Sequence, residues 1–207
     1  MNKSILENFI VFEGLDGAGT TTQCKLLYNY LKEKNIDVLL DAEPTPSPIG
    51  HLIRTEYLSK NSKTTPWALA LLYAADRENH INNVDNGLKT LIKSGKTIIS
   101  DRYLYSSLAY QSVNLDINKV KSINNFEEPE FVIYIDTPVE ECLNRISVRG
   151  AKTELFEKRD YLEKTRDGFE NAFRTINPNT KFIRIDGTRT KEEIFKQVVN
   201  FYVSNKE

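Results

Sequence analysis

The sequence predicts an α/β protein in which a parallel sheet is covered by helices on both faces. Five short apolar runs alternate with segments of helical spacing, and continuously apolar strands are typical of parallel sheets that are buried on both sides. The runs cover residues 9–12, 38–40, 97–100, 131–135 and 182–185. The chain of 207 residues shows no internal repeat and no break in composition, so we expect a single domain over residues 1–207.

The first apolar run leads into a glycine-punctuated loop and then a helical pattern. Residues 9–23 read FIVFEGLDGAGTTTQ. This order is the setting of a phosphate-binding P-loop, in which backbone N–H groups face an anion at a helix N-terminus. The spacing of Gly14 and Gly19 fits, and Thr21 supplies the hydroxyl suited to Mg²⁺, but Thr20 stands where the pattern requires lysine. The alternative is a glycine-rich turn in an unrelated α/β protein.

Two segments after the second strand are predicted from proline positions. Three prolines within residues 43–48 indicate a rigid loop, and a helix that begins near Ile49 would present Arg54. A second helix is expected to begin after Thr65, an N-cap residue followed by Pro66 at the first helical position. Its buried stripe is expected to comprise Trp67, Leu71 and Ala74.

Tyr73 and Arg77 lie four residues apart on this second helix and therefore share one of its faces. An aromatic ring beside a planar guanidinium can hold a nucleobase by stacking and hydrogen bonding. The alternative is a tyrosine–arginine pair at the surface.

The third apolar run ends in Asp101 and Arg102, at the carboxyl end of a predicted strand. Ligands of doubly wound sheets bind outside the carboxyl ends of strands, so these residues should face the same crevice as the P-loop. An acid at this place can reach the shell of Mg²⁺, and an arginine can hold phosphate with two parallel hydrogen bonds. A purely structural ion pair is the alternative.

The helix after the fourth strand carries Arg145 and Arg149 near its end, before Gly150. The polar segment that follows indicates a lid over an anionic substrate, at about residues 145–158; a charged surface turn is the alternative. A helix over residues 159–176, the last strand and an amphipathic terminal helix complete the predicted chain.

Composition restricts the partners of the protein. The net charge of −1 gives no basic field for nucleic acid or membrane. Cys24 and Cys142 lie beside apolar residues and are expected to be buried free thiols, which suit a reducing cytosol. We see neither a signal peptide nor a membrane-spanning run and expect a cytoplasmic protein.

Taken together, these motifs resemble the thymidylate kinases, which phosphorylate dTMP with ATP. The resemblance spans nearly the whole chain, and its most specific motif, DRYLYSSLAYQ, is similar to the bacterial form with an arginine-bearing lid. It implies a P-loop NTPase-type sheet, Mg²⁺ as cofactor, ATP and dTMP as substrates, and a homodimer.

The resemblance also implies roles for particular residues. Tyr73 would stack on thymine, and Arg77 and Gln111 would hydrogen-bond its edge. Arg54 and Arg102 would hold the dTMP phosphate. The full dTMP site would comprise Asp16, Arg54, Tyr73, Arg77, Arg102, Ser107, Tyr110 and Gln111. The ATP site would comprise Gly14, Gly17, Ala18, Gly19, Thr20, Thr21, Thr22 and Arg145. The catalytic residues would be Asp16, Arg102 and Arg149, and those near Mg²⁺ would be Thr21 and Asp101.

Two positions depart from the family pattern, and both remove positive charge from the crevice. Thr20 replaces the P-loop lysine, and Ala42 stands where bacterial members usually have a phosphate-binding arginine. Two other functions are therefore considered beside that of an active dTMP kinase. One is a non-catalytic nucleotide-binding protein, and the other is a kinase of another nucleoside or nucleotide on the same scaffold.

Overall fold

The structure, a computed structural model, describes residues 4–57, 63–148 and 155–206. Five strands form one sheet, and every pairing between them is parallel. The strands are β1 (Ile5–Gly14), β2 (Val38–Ala42), β3 (Thr97–Asp101), β4 (Glu128–Asp136) and β5 (Lys181–Asp186). The α/β prediction is confirmed, and each predicted apolar run lies within one of these strands.

Helices connect the strands and flank the sheet. They are α1 (Thr20–Glu33), α2 (Pro48–Leu52), α3 (Pro66–Asn82), α4 (Leu88–Lys93), α5 (Leu104–Gln111), α6 (Ile117–Ser122), α7 (Val139–Val148), α8 (Leu155–Phe173) and α9 (Lys191–Lys206). A π-helical turn, Ile53–Tyr57, follows α2 directly. Residues 9–12 of β1 are fully buried although successive side chains point to opposite faces, so both faces of the sheet are covered.

The strand order is β2-β3-β1-β4-β5, which places the ends of β1 and β3 side by side. Phe12 of β1 is paired with Asp101 of β3, and Asp101 is paired on its other side with Ala42 of β2. The chain segments that follow these three strands therefore start from one edge of the sheet. This edge is where the sequence predicts the ligand crevice.

The predicted strand–loop–helix of the P-loop is confirmed by β1, α1 and the turn between them. Gly17 and Gly19 have φ angles of +87° and +102°, which disfavour any side chain. A Cβ atom on Gly17 would also lie 2.6 Å from the carbonyl oxygen of Cys142 in α7. The loop thus requires glycine at position 17 both for its backbone angle and for its close approach to α7.

The predicted buried stripe of α3 is wrong, although the predicted cap is right. Thr65 accepts a hydrogen bond from the amide of Ala68, with Pro66 at the first helical position. However, Leu71 is 44% exposed, and Trp67 and Ala74 are only half buried. The helix instead buries Ala70, Asp76, Arg77, His80 and Ile81. It is oriented by polar contacts of its second half, which a hydrophobic pattern does not reveal.

Other boundaries shift by a few residues. The helix predicted near Ile49 begins at Pro48, because Ser47 caps it and proline is tolerated at the first helical position. The helix predicted over residues 159–176 spans Leu155–Phe173.

Cys24 and Cys142 are buried free thiols, as predicted. Within the described ranges, no helix has the length and apolar character needed to cross a membrane.

Candidate active site

A cavity of about 450 Å³ opens at the carboxyl edge of the sheet, among α3, α5 and α8. It brings together seven of the eight residues that the resemblance assigns to the dTMP site, namely Asp16, Tyr73, Arg77, Arg102, Ser107, Tyr110 and Gln111. Further lining residues were missed by the sequence analysis, among them Glu43, Pro44, Tyr103, Ser106, Asn114 and Tyr161. Tyr161 comes from α8, far along the chain, and no local motif marks it.

Arg77 lies in the wall of the cavity and is only 1% exposed. Its Nε and Nη2 atoms donate to one oxygen of Glu43, Oε2, at 2.9 and 2.5 Å. Nη2 also donates to Ser107 Oγ at 2.9 Å, and Nη1 donates to Asn124 Oδ1. The ring of Tyr103 lies 5.2 Å from the guanidinium carbon. Arg77 is therefore held from several sides in one orientation.

Gln111 places a hydrogen-bond acceptor, its side-chain carbonyl, in the cavity. Its Oε1 atom is buried and has no hydrogen-bond partner among the described residues, and the residue lines the same cavity as Arg77. A buried carbonyl without a donor is costly, so this atom indicates a ligand that donates a hydrogen bond here.

His80 contacts the same carboxylate of Glu43 that holds Arg77. Its Nδ1 is 2.9 Å from Glu43 Oε1, and its Nε2 is 3.0 Å from Asp41 Oδ2. Burial alone would lower the pKa of His80, but hydrogen bonds to the two carboxylates raise it to about 9. His80 is therefore an imidazolium at neutral pH, because carboxylate oxygens accept hydrogen bonds and both ring nitrogens must donate.

The loop between β2 and α2 is fixed by Asp76 of α3. Asp76 Oδ2 accepts from the Thr45 amide at 2.7 Å, and Oδ1 accepts from the hydroxyls of Thr45 and Ser47 at 2.6 and 2.8 Å. Arg54 donates to the carbonyl oxygens of Pro44 and Thr45 in the same loop. The structure thus places the side chain of Arg54 against this loop rather than in the wall of the cavity.

Arg102 joins the cavity to the P-loop. Its Nη1 donates to Gly14 O at 3.1 Å and to Ser106 Oγ at 3.0 Å, and its Nη2 donates to Asp16 Oδ1 at 2.6 Å. The backbone φ angle of Arg102 is +79°, which is rare for a residue with a side chain and is typical of functional sites. Tyr110 stacks below the guanidinium, with its ring centroid 4.9 Å away.

Glu13, at the end of β1, is fully buried beneath this arrangement. Its carboxylate accepts from the amides of Tyr103 and Ser106, both at 3.1 Å, and from the hydroxyl of Ser106. Burial raises the pKa of Glu13 from 4.5 to about 7, although the bonds from Ser106 and the charge of Arg102 oppose this shift. Glu13 thereby fastens the start of α5 to the strand that carries the P-loop.

The P-loop has no basic side chain of its own from Gly14 to Thr22, yet two arginines donate to its backbone. Arg102 contacts the carbonyl of Gly14, and Arg145 of α7 donates to the carbonyl of Ala18 at 3.2 Å. Arg145 is oriented by Glu141 at 2.8 Å and by the carbonyl of Gly187 at 2.9 Å. Positive charge therefore flanks the loop at both ends.

Thr21 and Asp101 meet as the sequence predicts, because the Thr21 hydroxyl donates to Asp101 Oδ2. The other oxygen, Oδ1, is buried and has no partner among the described residues. A hydroxyl beside a carboxylate with a free oxygen fits Mg²⁺, which binds through one or two protein oxygens plus substrate phosphates. Within the described ranges, no cluster of three or more His, Cys, Asp or Glu residues could hold a metal ion.

Arg149 lies outside the described residues, as do residues 150–154 of the predicted lid, so its role stays a prediction. Thr20 is 6% exposed and is the first residue of α1. Thr22 follows it in the first turn of the same helix.

Comparison with known proteins identifies the same family that the sequence motifs resemble. Residues 12–198 match a family model described as thymidylate kinase. A putative thymidylate kinase of Treponema pallidum is 38% identical over 95% of both chains. A probable thymidylate kinase of Methanococcus aeolicus is 38% identical over 97% of this chain and 98% of its own. One from Pyrococcus horikoshii is 45% identical over 71% of this chain and 73% of its own.

A P-loop beside an arginine-lined cavity, together with these matches, defines a phosphotransferase of the nucleoside-monophosphate kinase class. Within that class, the chain belongs to the thymidylate kinase family. The predicted resemblance is confirmed.

The raised pKa of Glu13 gives a prediction about stability. Because the native pKa, about 7, lies above the unfolded value of 4.5, the native state binds a proton more tightly between these pH values. The wild type should therefore lose stability as pH rises across this window, relative to Glu13→Gln, which has no carboxyl to ionise. Between pH 4.5 and pH 8, the free energy of unfolding of Glu13→Gln should rise by about 3 kcal/mol relative to that of the wild type.

Urea unfolding at several pH values measures this difference. Glu163→Gln, at an exposed position of α8, serves as the control and should run parallel to the wild type. If the free energies of unfolding of Glu13→Gln and of the wild type varied with pH in parallel, the assignment of a buried, proton-binding Glu13 would be wrong.

Proposed function

We propose that this thymidylate kinase transfers the γ-phosphoryl group of ATP to dTMP, with dTMP in the described cavity and the ATP phosphates on the P-loop. The observation that carries the proposal is the buried Oε1 of Gln111, which has no partner among the described residues and lies in the same cavity as Arg77. Thymine has an N3–H donor beside its O4 acceptor. The carbonyl of Gln111 and an N–H of Arg77 complement that edge, while Tyr73 offers a ring for stacking.

This arrangement also accounts for selection against cytosine. Cytosine has an acceptor at N3, so it would leave Oε1 of Gln111 without a donor in a buried position. An unpaired buried polar group costs roughly 1–3 kcal/mol. The cavity therefore favours a pyrimidine with an N3–H group.

At the other end of the cavity, Arg102 is the proposed ligand of the dTMP phosphate and of the transferring group. Its guanidinium lies between the dTMP cavity and the P-loop, since it contacts both Asp16 and Gly14. Asp16 and Tyr110 would orient it, the latter through its ring and its hydroxyl. Arg54 is proposed to assist from the π-helical turn after α2, where it contacts the loop between β2 and α2.

Phosphoryl transfer requires alignment and stabilisation of negative charge rather than covalent chemistry by the protein. Mg²⁺, held near Thr21 and Asp101 together with the ATP phosphates, would neutralise part of that charge. The arginines that donate to the P-loop carbonyls, Arg102 and Arg145, would supply charge that the missing lysine does not. One such cation about 4 Å from a phosphate oxygen is worth at most ~4 kcal/mol at an effective dielectric near 20.

Three further properties are proposed on the strength of the family resemblance. A lid at about residues 145–158, with Arg149, would close over the phosphates. The protein would form a homodimer, and the exposed Leu71 of α3 offers apolar surface for such an interface. A cytoplasmic location would suit the two buried free thiols.

A coupled assay of ADP release with a panel of monophosphates tests the proposed function. The wild type should turn over ATP with dTMP, much less with dCMP, and negligibly without an acceptor. Gln111→Met removes the carbonyl at similar volume and should raise the KM for dTMP about tenfold, because one buried hydrogen bond is lost. The KM for ATP should stay unchanged. Turnover that is independent of the monophosphate would contradict the proposal.

The charge argument predicts a rescue at position 20. Arg145→Ala should lower kcat/KM for ATP at least tenfold, because it removes positive charge from the P-loop. Adding Thr20→Lys to this variant should recover part of the loss, since a lysine at that position reaches the phosphates in P-loops. Thr20→Met is the matched control, with a long side chain but no charge. If Thr20→Lys and Thr20→Met restored kcat/KM for ATP equally, the positive charge of the lysine would not be the cause of the rescue.

A further inference from the structure

The strongest feature outside the proposed substrate contacts is a row of four charged side chains that ends at Arg77. From the surface inwards they are Asp41, His80, Glu43 and Arg77, and each touches the next through a hydrogen bond. Their charges alternate in sign, so the row as a whole is neutral. Only Asp41 is appreciably exposed, with 25% of its side chain accessible, against 5% for His80 and 3% for Glu43.

The two oxygens of Glu43 are divided between two partners. Oε2 accepts both hydrogen bonds from Arg77, at 2.9 and 2.5 Å, and Oε1 faces Nδ1 of His80 at 2.9 Å. A carboxylate held at only one oxygen can rotate about its last bond. The contact from His80 fixes that rotation, and with it the direction in which Arg77 points.

Asp41 completes the arrangement by holding the other side of the imidazole. Its Oδ2 lies 3.0 Å from Nε2 of His80, while its Oδ1 accepts from the amide of Ala42 at 2.8 Å. The amide of Glu43 donates to the carbonyl of Asp101 at 3.2 Å, which ties the same segment to β3. The imidazole is thus anchored to a backbone that is itself part of the sheet edge.

We propose that His80, clamped by Asp41, is a positioning residue that sets the thymine-binding orientation of Arg77 through Glu43. This inference rests on the proposed function of the cavity as the dTMP site. His80 is not among the residues that line that cavity, whereas Glu43 and Arg77 are, so it would act on recognition of the monophosphate through them. It should leave ATP binding and the chemical step nearly unchanged.

His80→Gln tests this role, because glutamine can still donate to Glu43 but cannot donate to both carboxylates. The KM for dTMP should rise five- to tenfold, the preference for dTMP over dCMP should narrow, and kcat and the KM for ATP should change less than twofold. Asp41→Asn should cause a smaller rise in the KM for dTMP. The double variant should be no worse than His80→Gln alone, since Asp41 acts only through His80.

Loss of stability alone would not give this pattern. Val198→Ala, at a fully buried position of α9, is the control: it should lower the Tm and leave both KM values unchanged. The inference would be overturned if His80→Gln changed the KM for dTMP and the KM for ATP equally, or if it left the KM for dTMP unchanged. Should His80→Gln fail to fold, an unchanged KM in Asp41→Asn would overturn it, and the expected rise would support it.

A spectroscopic measurement separates this inference from the proposed function. The ¹H–¹⁵N signal of Arg77 Nε, identified by its loss in Arg77→Lys, should shift in ligand-free His80→Gln but not in Val198→Ala. If the wild type shows no preference for dTMP, the proposed function fails, while this signal still reports on the positioning of Arg77. An unshifted signal would overturn the positioning role itself.

Discussion

The parallel pairing of β1 with β3 determines where the charged groups of the site lie. Because Phe12 is paired with Asp101, the P-loop and the segment Asp101–Arg102 emerge next to each other from the same sheet edge. Thr21 then contacts Asp101, and Arg102 reaches back to Gly14. Buried Glu13 holds the start of α5 against this edge and so places the wall of the cavity. A shift of register here would separate Thr21 from Asp101 and Arg102 from Gly14.

The same arrangement accommodates the altered P-loop. A lysine at position 20 would bring its charge on a flexible chain, whereas Arg102 and Arg145 are each held by several hydrogen bonds. Fixed cations need little reorganisation when negative charge develops, which is the condition for electrostatic stabilisation of a transition state. In the proposed mechanism, Arg102 and Arg145 therefore supply the positive charge that a P-loop lysine would otherwise bring.

Local patterns in the sequence predicted the strands and the P-loop, whereas most of the residues that line the cavity were predicted from the family resemblance. Apolar runs mark buried strands, and the glycine spacing marks the phosphate loop. The orientation of α3 was not predictable in this way, since its buried side contains Asp76, Arg77 and His80, each of which has a partner in a loop more than thirty residues earlier. Tyr161 was missed for a related reason: only the packing of α8 beside α5 brings it to the cavity.

The central claim is that one arginine, Arg102, serves both nucleotides at the shared edge of β1 and β3. Arg102→Lys tests it most directly, because lysine keeps the charge but cannot contact Gly14, Ser106 and Asp16 together. Steady-state kinetics with ATP and dTMP should show kcat reduced at least tenfold and a raised KM for dTMP, with the Tm nearly unchanged. Wild-type values of kcat and of both KM values in Arg102→Lys would contradict the account.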